Sequence, residues 1–303
     1  MGRNRLALTA LAEAGAEAVR GDLSDAHALH DACRGAATVY HVGAFSAPWG
    51  KRGDFVSANV GGTRHVLEAC VKQGVRRLVY VSSPSVCFDG TDCVGQTESA
   101  PYPTRFVSVY SETKAAGEQL VRARHGDLET VIVRPKAVFG EGDTSLLPRL
   151  VRAAERGRLP IIGAGDNRVD LTYVGNVVHA LLLAGESPGA TGKTYTITNG
   201  DTGMDTPCLW DVIRDVLRAL GVPEPRRRVP LAVALAAARG MEAAAELTGR
   251  EPTLTRYSAL ILARTQTYDI SAARNDLGYA PVVPLADGIE RAVAALRRER
   301  RER

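Results

Sequence analysis

One stretch of the chain, residues 77–118, constrains the fold more than any other. Residues 77–81 form a short apolar run rich in β-branched side chains, which is typical of a strand buried in a sheet. The run ends in the sequence S-S-P-S at residues 82–85. Because open α/β sheets bind their ligands at the carboxyl ends of their strands, these serines predict an α/β fold with a ligand site at this strand end.

A tyrosine and a lysine at helical spacing follow this strand. Tyr110 and Lys114 lie in a segment of mostly good helix formers, and residues four apart share one face of a helix. An ammonium group one turn away stabilises a phenolate, which moves a phenol from its ordinary pKa of about 10 towards a range that is useful for proton transfer. A serine hydroxyl opposite would hold a substrate oxygen. The set predicts reduction of a ketone or oxidation of a secondary alcohol.

The alternative is a surface lysine beside a tyrosine that only packs. The chain has 303 residues, with five lysines and nine tyrosines. Chance would give roughly 0.15 Tyr-x-x-x-Lys pairs in such a chain, and Tyr110 and Lys114 form the only such pair it contains. The serines before the pair further favour the catalytic interpretation.

These motifs resemble those of the extended short-chain dehydrogenase/reductase superfamily, whose active site is a triad of Ser or Thr, Tyr and Lys. Residues 82–92, 97–98 and 101–102 are similar to the 3β-hydroxysteroid dehydrogenase branch of that superfamily. This branch includes sterol-4α-carboxylate 3-dehydrogenases and bacterial 2-alkyl-3-oxoalkanoate reductases. The resemblance covers nearly the whole chain, from Gly21 to about Leu296.

The resemblance implies both an architecture and roles for the triad. The fold would be α/β, a Rossmann-like doubly wound parallel sheet with a smaller, interwoven C-terminal substrate lobe. An NAD(P)-binding domain would occupy residues 1–145, with residues 170–199 returning to it, and the substrate lobe would be mainly residues 146–303. In the triad, Ser83 would orient the substrate oxygen and Tyr110 would exchange the proton. Lys114 would lower the pKa of Tyr110 and bind the ribose of NAD or NADP.

Further cofactor contacts follow from the same resemblance, at strand ends and at the motifs N-x-x-G-T and R-P-x-x-V-x-G. Asp22 and Leu23 would face the adenine, although a turn or N-cap role for Asp22 is an alternative. Arg3 and Arg5 lie where family members that prefer NADP tend to carry a base, but arginine on an exposed turn is the ordinary alternative. The other predicted contacts, several of them at small residues that let a cofactor approach the backbone, are Val42, Gly43, Ala44, Asn59, Ser82, Pro135 and Val138.

The beginning of the chain departs from the family pattern. Backbone N–H groups of a glycine-rich turn should hold the pyrophosphate, but no G-x-x-G-x-x-G lies near the start, and residues 6–14 already resemble a helix. Aligned by pattern, residues 2–5 match the end of the second strand and residues 17–20 the third. We therefore expect a start placed downstream of the true one, or a fragment. A natural short form with altered cofactor binding is the alternative.

The second half of the sequence predicts the helices of a substrate lobe. Apolar periodicity favours helices at residues 146–156, 207–220 and 284–296. The Ala-rich residues 230–247 predict a lobe helix that covers an apolar pocket. Contact with lipid, as in membrane-associated steroid dehydrogenases, is the alternative for this helix.

Composition excludes several classes of partner. The net charge of +4 is mild, so no nucleic-acid partner is predicted, and no apolar run reaches membrane-spanning length. The five cysteines form no C-x-x-C pair, which argues against zinc and disulfides and fits a cytoplasmic location. By analogy with the family, a possible homodimer would pair through residues 55–73 and 109–124.

The sequence therefore predicts an NAD(P)-dependent oxidoreductase that interconverts a 3-hydroxy and a 3-keto group on a small hydrophobic substrate, either sterol-like or a long-chain 3-keto acid. A nucleotide-sugar epimerase or dehydratase on the same scaffold is one alternative. The loop after Ser83 argues against it, because a dehydratase would normally show a threonine followed by an acidic pair there. A non-catalytic descendant that keeps the triad but fails to bind cofactor is the other alternative.

Overall fold

The computed structural model describes residues 1–201 and 205–301. Its strands are Thr38–His41 (β1), Arg77–Val81 (β2), Cys93–Gln96 (β3), Glu129–Pro135 (β4), Val138–Phe139 (β5), Ile161–Ile162 (β6), Thr172–Tyr173 (β7), Thr194–Ile197 (β8), Arg228–Val229 (β9) and Gln266–Tyr268 (β10). Four of them form a parallel sheet in the order β1-β2-β4-β8, and the other six form three two-stranded parallel sheets.

Helices cover both faces of the four-stranded sheet and build the rest of the molecule. They are Arg5–Glu13 (α1), Ala26–Ala32 (α2), Arg52–Phe55 (α3), Gly62–Lys72 (α4), Val109–Arg122 (α5), Leu147–Glu155 (α6), Val174–Glu186 (α7), Leu209–Ala219 (α8), Leu231–Thr248 (α9), Arg256–Ala263 (α10), Ser271–Leu277 (α11) and Leu285–Arg301 (α12). Helices α2, α4 and α5 pack on one face of the sheet, and α7 and α11 pack on the other.

Strands β2 and β4 are buried on both faces, as the centre of a parallel sheet requires. Their side chains point alternately into two apolar cores, one on each face of the sheet. Leu78 and Ile132 join the α2/α4/α5 core, whereas Val79 and Val133 join the α7/α11 core. This doubly wound arrangement confirms the predicted fold class, and it brings the carboxyl ends of all four strands to one edge.

The C-terminal lobe has an apolar core of its own. Helices α6, α8 and α12 contribute to it, and Trp210 is fully buried at its centre (0% exposed). The Trp210 indole N–H donates to the Leu262 carbonyl oxygen at 3.0 Å, which ties α8 to α10. A smaller cluster joins α9 and α10 to β6 and β9. The lobe is interwoven with the sheet domain, because α7 and β8 return to the sheet between its segments.

Three local predictions differ from the structure. Residues 17–20 form no strand, and only an isolated parallel bridge joins Gly2 to Arg20. The apolar run at residues 37–42 predicts a buried strand, but strand β1 is only half-buried, with Tyr40 38% exposed, because among the described strands it pairs with β2 alone. The apolar periodicity of residues 55–73 predicts one long helix, but a π-helical turn at Val56–Gly61 separates α3 from α4.

None of the helices in the described ranges, 1–201 and 205–301, combines the length and the apolar character that a membrane span requires.

Candidate active site

The end of β2 and the start of α5 bring two of the predicted triad hydroxyls together. Ser83 caps a short 3₁₀ turn, Pro84–Cys87, and its Oγ accepts hydrogen bonds from the Ser85 N–H at 3.2 Å and the Ser85 hydroxyl at 2.9 Å. Tyr110 is the second residue of α5, which Ser108 caps through the Ser111 N–H. The side chains of Ser46 and Ser83 are hydrogen-bond partners of the Tyr110 phenol.

Tyr110 is a protonated phenol in this arrangement. Burial raises its pKa, and the hydrogen bonds from Ser46 and Ser83 only partly oppose that rise. Lys114 is not among the causes of the shift, so the expected lowering of the Tyr110 pKa by Lys114 is not found in this geometry. A phenol in this state donates a hydrogen bond to an oxygen that enters the pocket.

Lys114 lies one helical turn after Tyr110 and is buried. Its Nζ donates to the Val81 carbonyl oxygen at 2.6 Å and lies 4.1 Å from the centre of the Tyr80 ring. Burial lowers the pKa of Lys114 to about 7, against the opposing charge of Glu118. The amine therefore faces the end of β2, where a backbone carbonyl satisfies one of its donors.

A buried ion pair fixes α5 against the sheet. Arg134 donates to both carboxylate oxygens of Glu118, at 2.8 and 2.6 Å, and the Tyr102 hydroxyl donates to the same carboxylate at 2.7 Å. Burial works against the Glu118 charge, but Arg134 outweighs it and holds the pKa of Glu118 below its usual value. Our sequence analysis missed this pair, although Arg134 belongs to the R-P motif that it had singled out.

Asn59 holds the loop that follows β1 against α5. It lies in the π-helical turn, its Oδ1 accepts from the Phe45 N–H at 2.7 Å, and its Nδ2 donates to the Phe45 carbonyl at 3.1 Å and to Thr113 Oγ1 at 3.0 Å. The same loop carries Ser46, which contacts Tyr110, and the half-buried Trp49. Asn59 therefore positions a partner of Tyr110 from outside the pocket.

A cavity of about 540 Å³ opens over Ser83 and Tyr110, between the sheet and the lobe. Its size is that of a pocket for a small organic ligand. Its far wall is apolar and comes from α6, α8 and α10, including Leu150, Val212, Val216 and Ile261. Helix α9 does not line it, so the prediction that residues 230–247 cover the pocket is wrong. The reason is that α9 packs against the outer side of α10, which lies between α9 and the cavity.

The predicted site residues divide into two groups. Those that line the cavity are Val42, Ala44, Ser82, Ser83, Tyr110, Lys114, Pro135 and Val138. Asp22, Leu23, Gly43 and Asn59 do not line it. Asp22 accepts from the Ser24 N–H at 2.9 Å and from its hydroxyl at 2.8 Å, and it pairs with Arg3 at 3.2 Å, which matches the turn role left open for it.

The cavity also contains residues that our sequence analysis did not identify. Tyr257 and Ser258 come from α10, Arg149 from α6, and Lys136 from the residue after β4. No local pattern identifies Tyr257, because its position depends on how α10 packs over the end of β2. Lys136 lies inside the R-P-x-x-V-x-G motif, so the motif could have identified it as a residue of the site.

The floor of the cavity fits the nicotinamide and ribose half of a dinucleotide. An ammonium has three N–H donors, and Lys114 uses one of them on Val81, which leaves donors for hydroxyl oxygens in the cavity. Pro135 and Val138 offer an apolar wall nearby for a flat ring. Donors for a ribose beside a surface for an aromatic ring are the combination that this part of the cofactor requires.

Comparison with known proteins agrees with this geometry. The family model described as "3-beta hydroxysteroid dehydrogenase/isomerase family" matches residues 7–232. The chain is 38% identical over 291 residues to 3beta-hydroxysteroid-dehydrogenase/decarboxylase isoform 1 of Arabidopsis thaliana, covering 91% of this chain and 65% of that protein. For isoform 2 the chain spans only 51% of the relative's length.

A bacterial relative and a solved structure extend the comparison. The chain is 38% identical to the 2-alkyl-3-oxoalkanoate reductase of Stenotrophomonas maltophilia, covering 91% of this chain and 86% of that protein. A dTDP-glucose 4,6-dehydratase from Streptomyces venezuelae, solved as a double mutant with NAD bound, is 26% identical with a TM-score of 0.72, covering 97% of this chain and 84% of that one. The family model and these relatives match most of the sequence, so the chain belongs to the 3-beta hydroxysteroid dehydrogenase/isomerase family.

Proposed function

We propose that this protein is an NAD(P)-dependent oxidoreductase that interconverts a 3-hydroxy and a 3-keto group on a hydrophobic substrate. The observation that carries the proposal is the pairing of the Ser83 and Tyr110 hydroxyls at one end of a cavity whose opposite wall is apolar. Two hydroxyls side by side can both contact one substrate oxygen. The apolar wall receives the body of an alkyl chain or a sterol by removing its surface from water.

The roles of the residues follow from where they lie. Ser83 orients the substrate oxygen, and Tyr110 donates a proton to it when a ketone is reduced or removes the proton when an alcohol is oxidised. Lys114 holds the cofactor's ribose and stabilises the phenolate form of Tyr110 once it turns from Val81. When bound, the nicotinamide supplies or accepts the hydride. Pro135 and Val138 keep water away from the ring.

The relatives support this proposal by their names. Those in the same family are a dehydrogenase/decarboxylase and a reductase, and both names describe chemistry at a 3-hydroxy or 3-oxo carbon. The solved dehydratase binds NAD on the same fold. The dehydratase is less similar to this chain than the family relatives are, so a hydrophobic substrate is favoured over a sugar nucleotide. Sugar nucleotides are therefore included in the test as the competing class of substrate.

The test is turnover by the wild-type protein and by the Tyr110→Phe variant, with NAD and NADP each as cofactor. The substrates are long-chain 3-hydroxy acids, 3-hydroxysteroids and sugar nucleotides. We expect turnover of a hydrophobic 3-hydroxy substrate, and a loss of about a hundredfold to ten-thousandfold in Tyr110→Phe, because the proton donor and acceptor is gone. Tyr40→Phe, which removes a phenol hydroxyl outside the cavity, is the matched control.

Two outcomes would contradict the proposal. One is a Tyr110→Phe variant with wild-type turnover. The other is a wild-type protein that acts on sugar nucleotides but on none of the hydrophobic substrates.

A further inference from the structure

The loop between β1 and α3 is held against α5 at both of its ends. At the first end, Asn59 contacts the backbone N–H and carbonyl of Phe45, at 2.7 and 3.1 Å, and donates to Thr113 Oγ1 at 3.0 Å. Thr113 lies three residues after Tyr110 in α5. The Phe45 ring also packs edge-on against the buried Phe55, with the ring centres 4.6 Å apart. This end of the loop is therefore fixed relative to the helix that carries Tyr110.

An ion pair fixes the second end of the loop. Arg52, at the start of α3, donates to both carboxylate oxygens of Glu112 in α5, at 2.5 and 2.7 Å. Ser46 lies between the two attachments and lines the cavity, and its side chain is a hydrogen-bond partner of the Tyr110 phenol. The loop and the helix thus hold the two hydroxyls together before any ligand binds.

A count of the available protons distinguishes Ser46 from Ser83. A serine hydroxyl has one proton to donate and two lone pairs that accept. The Ser83 oxygen already accepts from the Ser85 N–H at 3.2 Å and from the Ser85 hydroxyl at 2.9 Å, so Ser83 has only its own proton left to give. If Ser83 gives that proton to the substrate oxygen, Ser46 is the serine that can donate to the Tyr110 phenol. Among the residues that the structure describes, the Ser46 hydroxyl has no further hydrogen-bond partner, so its proton is available for this contact.

We propose that Ser46 is a positioning residue that acts through Tyr110, by donating a hydrogen bond to the phenol oxygen while the Tyr110 proton moves to or from the substrate. In ketone reduction the Tyr110 O–H bond breaks, its proton joins the substrate oxygen, and the bonding electron pair stays on the phenolate oxygen, where the Ser46 proton stabilises it. In alcohol oxidation the same steps run in reverse. The hydride is the one that the nicotinamide exchanges in the proposed function, on which this inference rests.

Substitution of Ser46 leaves the ionisable groups around Tyr110 on the neighbouring elements in place. These groups are Lys114, Tyr80, Lys136, Arg149 and Tyr257. A change in the titration of Tyr110 on replacing Ser46 therefore reports on the Ser46 hydroxyl. Ser46 is exposed to the cavity, so its truncation removes little buried surface and should leave the fold intact.

The test titrates the phenol at position 110 directly, by ¹⁹F nuclear magnetic resonance of 3-fluorotyrosine placed there site-specifically, which is a more acidic phenol than tyrosine. We expect a midpoint about one to two pH units higher in Ser46→Ala than in the protein with Ser46, as for the loss of a hydrogen bond to a charged group. Ser46→Thr keeps a hydroxyl and should restore the midpoint. Ser57→Ala, at an exposed serine of the π-helical turn, is the matched control and should not shift it.

Turnover gives a second measurement of the same contact. For oxidation of a long-chain 3-hydroxy acid at neutral pH, kcat of Ser46→Ala should fall about tenfold to a hundredfold, because the ionised fraction of the Tyr110 phenol falls by that factor. KM should change by less than about twofold, because Ser83 still holds the substrate oxygen. A raised KM with an unchanged titration midpoint would assign Ser46 to substrate binding and overturn the proposal.

The titration needs no substrate, so the role of Ser46 and the proposed function can fail separately. An unchanged midpoint in Ser46→Ala overturns the role of Ser46 even if the wild-type protein oxidises hydrophobic alcohols. The role also fails if Ser46→Thr titrates like Ser46→Ala, since the hydroxyl would then not be responsible. A raised midpoint in Ser46→Ala, when the wild-type protein oxidises none of these alcohols, leaves the Ser46 contact standing and contradicts the proposed function.

Discussion

At the scale of single residues, the site consists of ionisable groups whose pKa values burial has shifted from their ordinary values in water. Burial favours the neutral form of Lys114 and brings its pKa down to about 7, whereas Glu118 beside it stays ionised because Arg134 holds it in a bidentate contact. Protonation of Lys114 therefore couples the site to pH near neutrality.

The pH dependence of stability should reveal the buried Lys114. Its pKa is about 7 in the folded protein against an ordinary value of 10.5, so between these values the unfolded chain binds more protons. The free energy of unfolding must then rise with pH through this window, by up to about 1.4 kcal/mol per pH unit. We expect Lys114→Met to reduce that rise, measured by urea unfolding at several pH values from 7 to about 9.

Lys136, whose pKa burial lowers to about 8, should leave a smaller rise in the Lys114→Met variant. Lys72→Met, at an exposed position at the end of α4, is the matched control and should keep the wild-type slope. A Lys114→Met protein with an unchanged slope would show that the Lys114 charge is not suppressed by folding.

At the scale of secondary-structure elements, the position of α5 depends on how closely it approaches its neighbours. A Cβ on Gly117 would lie 2.2 Å from the Tyr80 hydroxyl and 3.3 Å from the Asn59 carbonyl oxygen. Tyr80 is fully buried in the core between the sheet and the helices, so its ring has little room to move. The glycine therefore sets the distance between the helix that carries Tyr110 and the strand β2, which ends at Val81.

Replacing Gly117 and a matched glycine by alanine should separate the cost of overpacking from the gain in helix propensity, both measured as changes in the free energy of unfolding. We expect Gly117→Ala to destabilise the protein by about 1–3 kcal/mol, as overpacking of a core does. Gly240→Ala in α9 is the matched control, because a Cβ there meets nothing within 4 Å. It should stabilise the protein by up to about 1 kcal/mol through helix propensity. Urea unfolding measures both, and a neutral Gly117→Ala would mean that α5 shifts without cost.

Elements could be predicted from the sequence where their signal is local. Residues 77–81 predict β2 at its observed bounds, and the apolar run at residues 130–134 predicts β4 within one residue at each end, because the central strands of a parallel sheet are unbroken apolar runs. Helix α10, and with it Tyr257, was not predicted, since its position at the cavity depends on tertiary packing and not on a local pattern. The π-helical turn at Val56–Gly61 was missed because one widened turn hardly changes the spacing of apolar residues along an amphipathic helix.

At the scale of the whole molecule, the cavity lies where the sheet domain meets the C-terminal lobe. The sheet side contributes Ser83, Tyr110 and Lys114, and the lobe contributes α6, α8 and α10. A ligand that contacts both sides stabilises them together. The resemblance to the family predicts a substrate lobe beside the triad, and that role stays a prediction; it did not identify which helix would face the triad.

Ligand binding should therefore protect both parts of the molecule. A long-chain 3-hydroxy acid at one hundred times its dissociation constant should raise the free energy of unfolding by about 2.7 kcal/mol. Backbone amide hydrogen exchange should slow in α5 and α10 alike. Exchange that slows in α10 alone would place the ligand on the lobe and away from the triad. The exposed α1, which has no buried residue, is the internal control and should not change.

The burial of Trp210 in the lobe has a consequence for optical spectroscopy. The chain contains two tryptophans, and the other, Trp49, is half-buried in the loop that Asn59 holds beside the cavity. Trp210 has an apolar environment and is shielded from water-soluble quenchers, whereas Trp49 is partly accessible to them. The intrinsic fluorescence of this molecule thus contains two separable signals, one from the integrity of the lobe and one from the loop that follows β1.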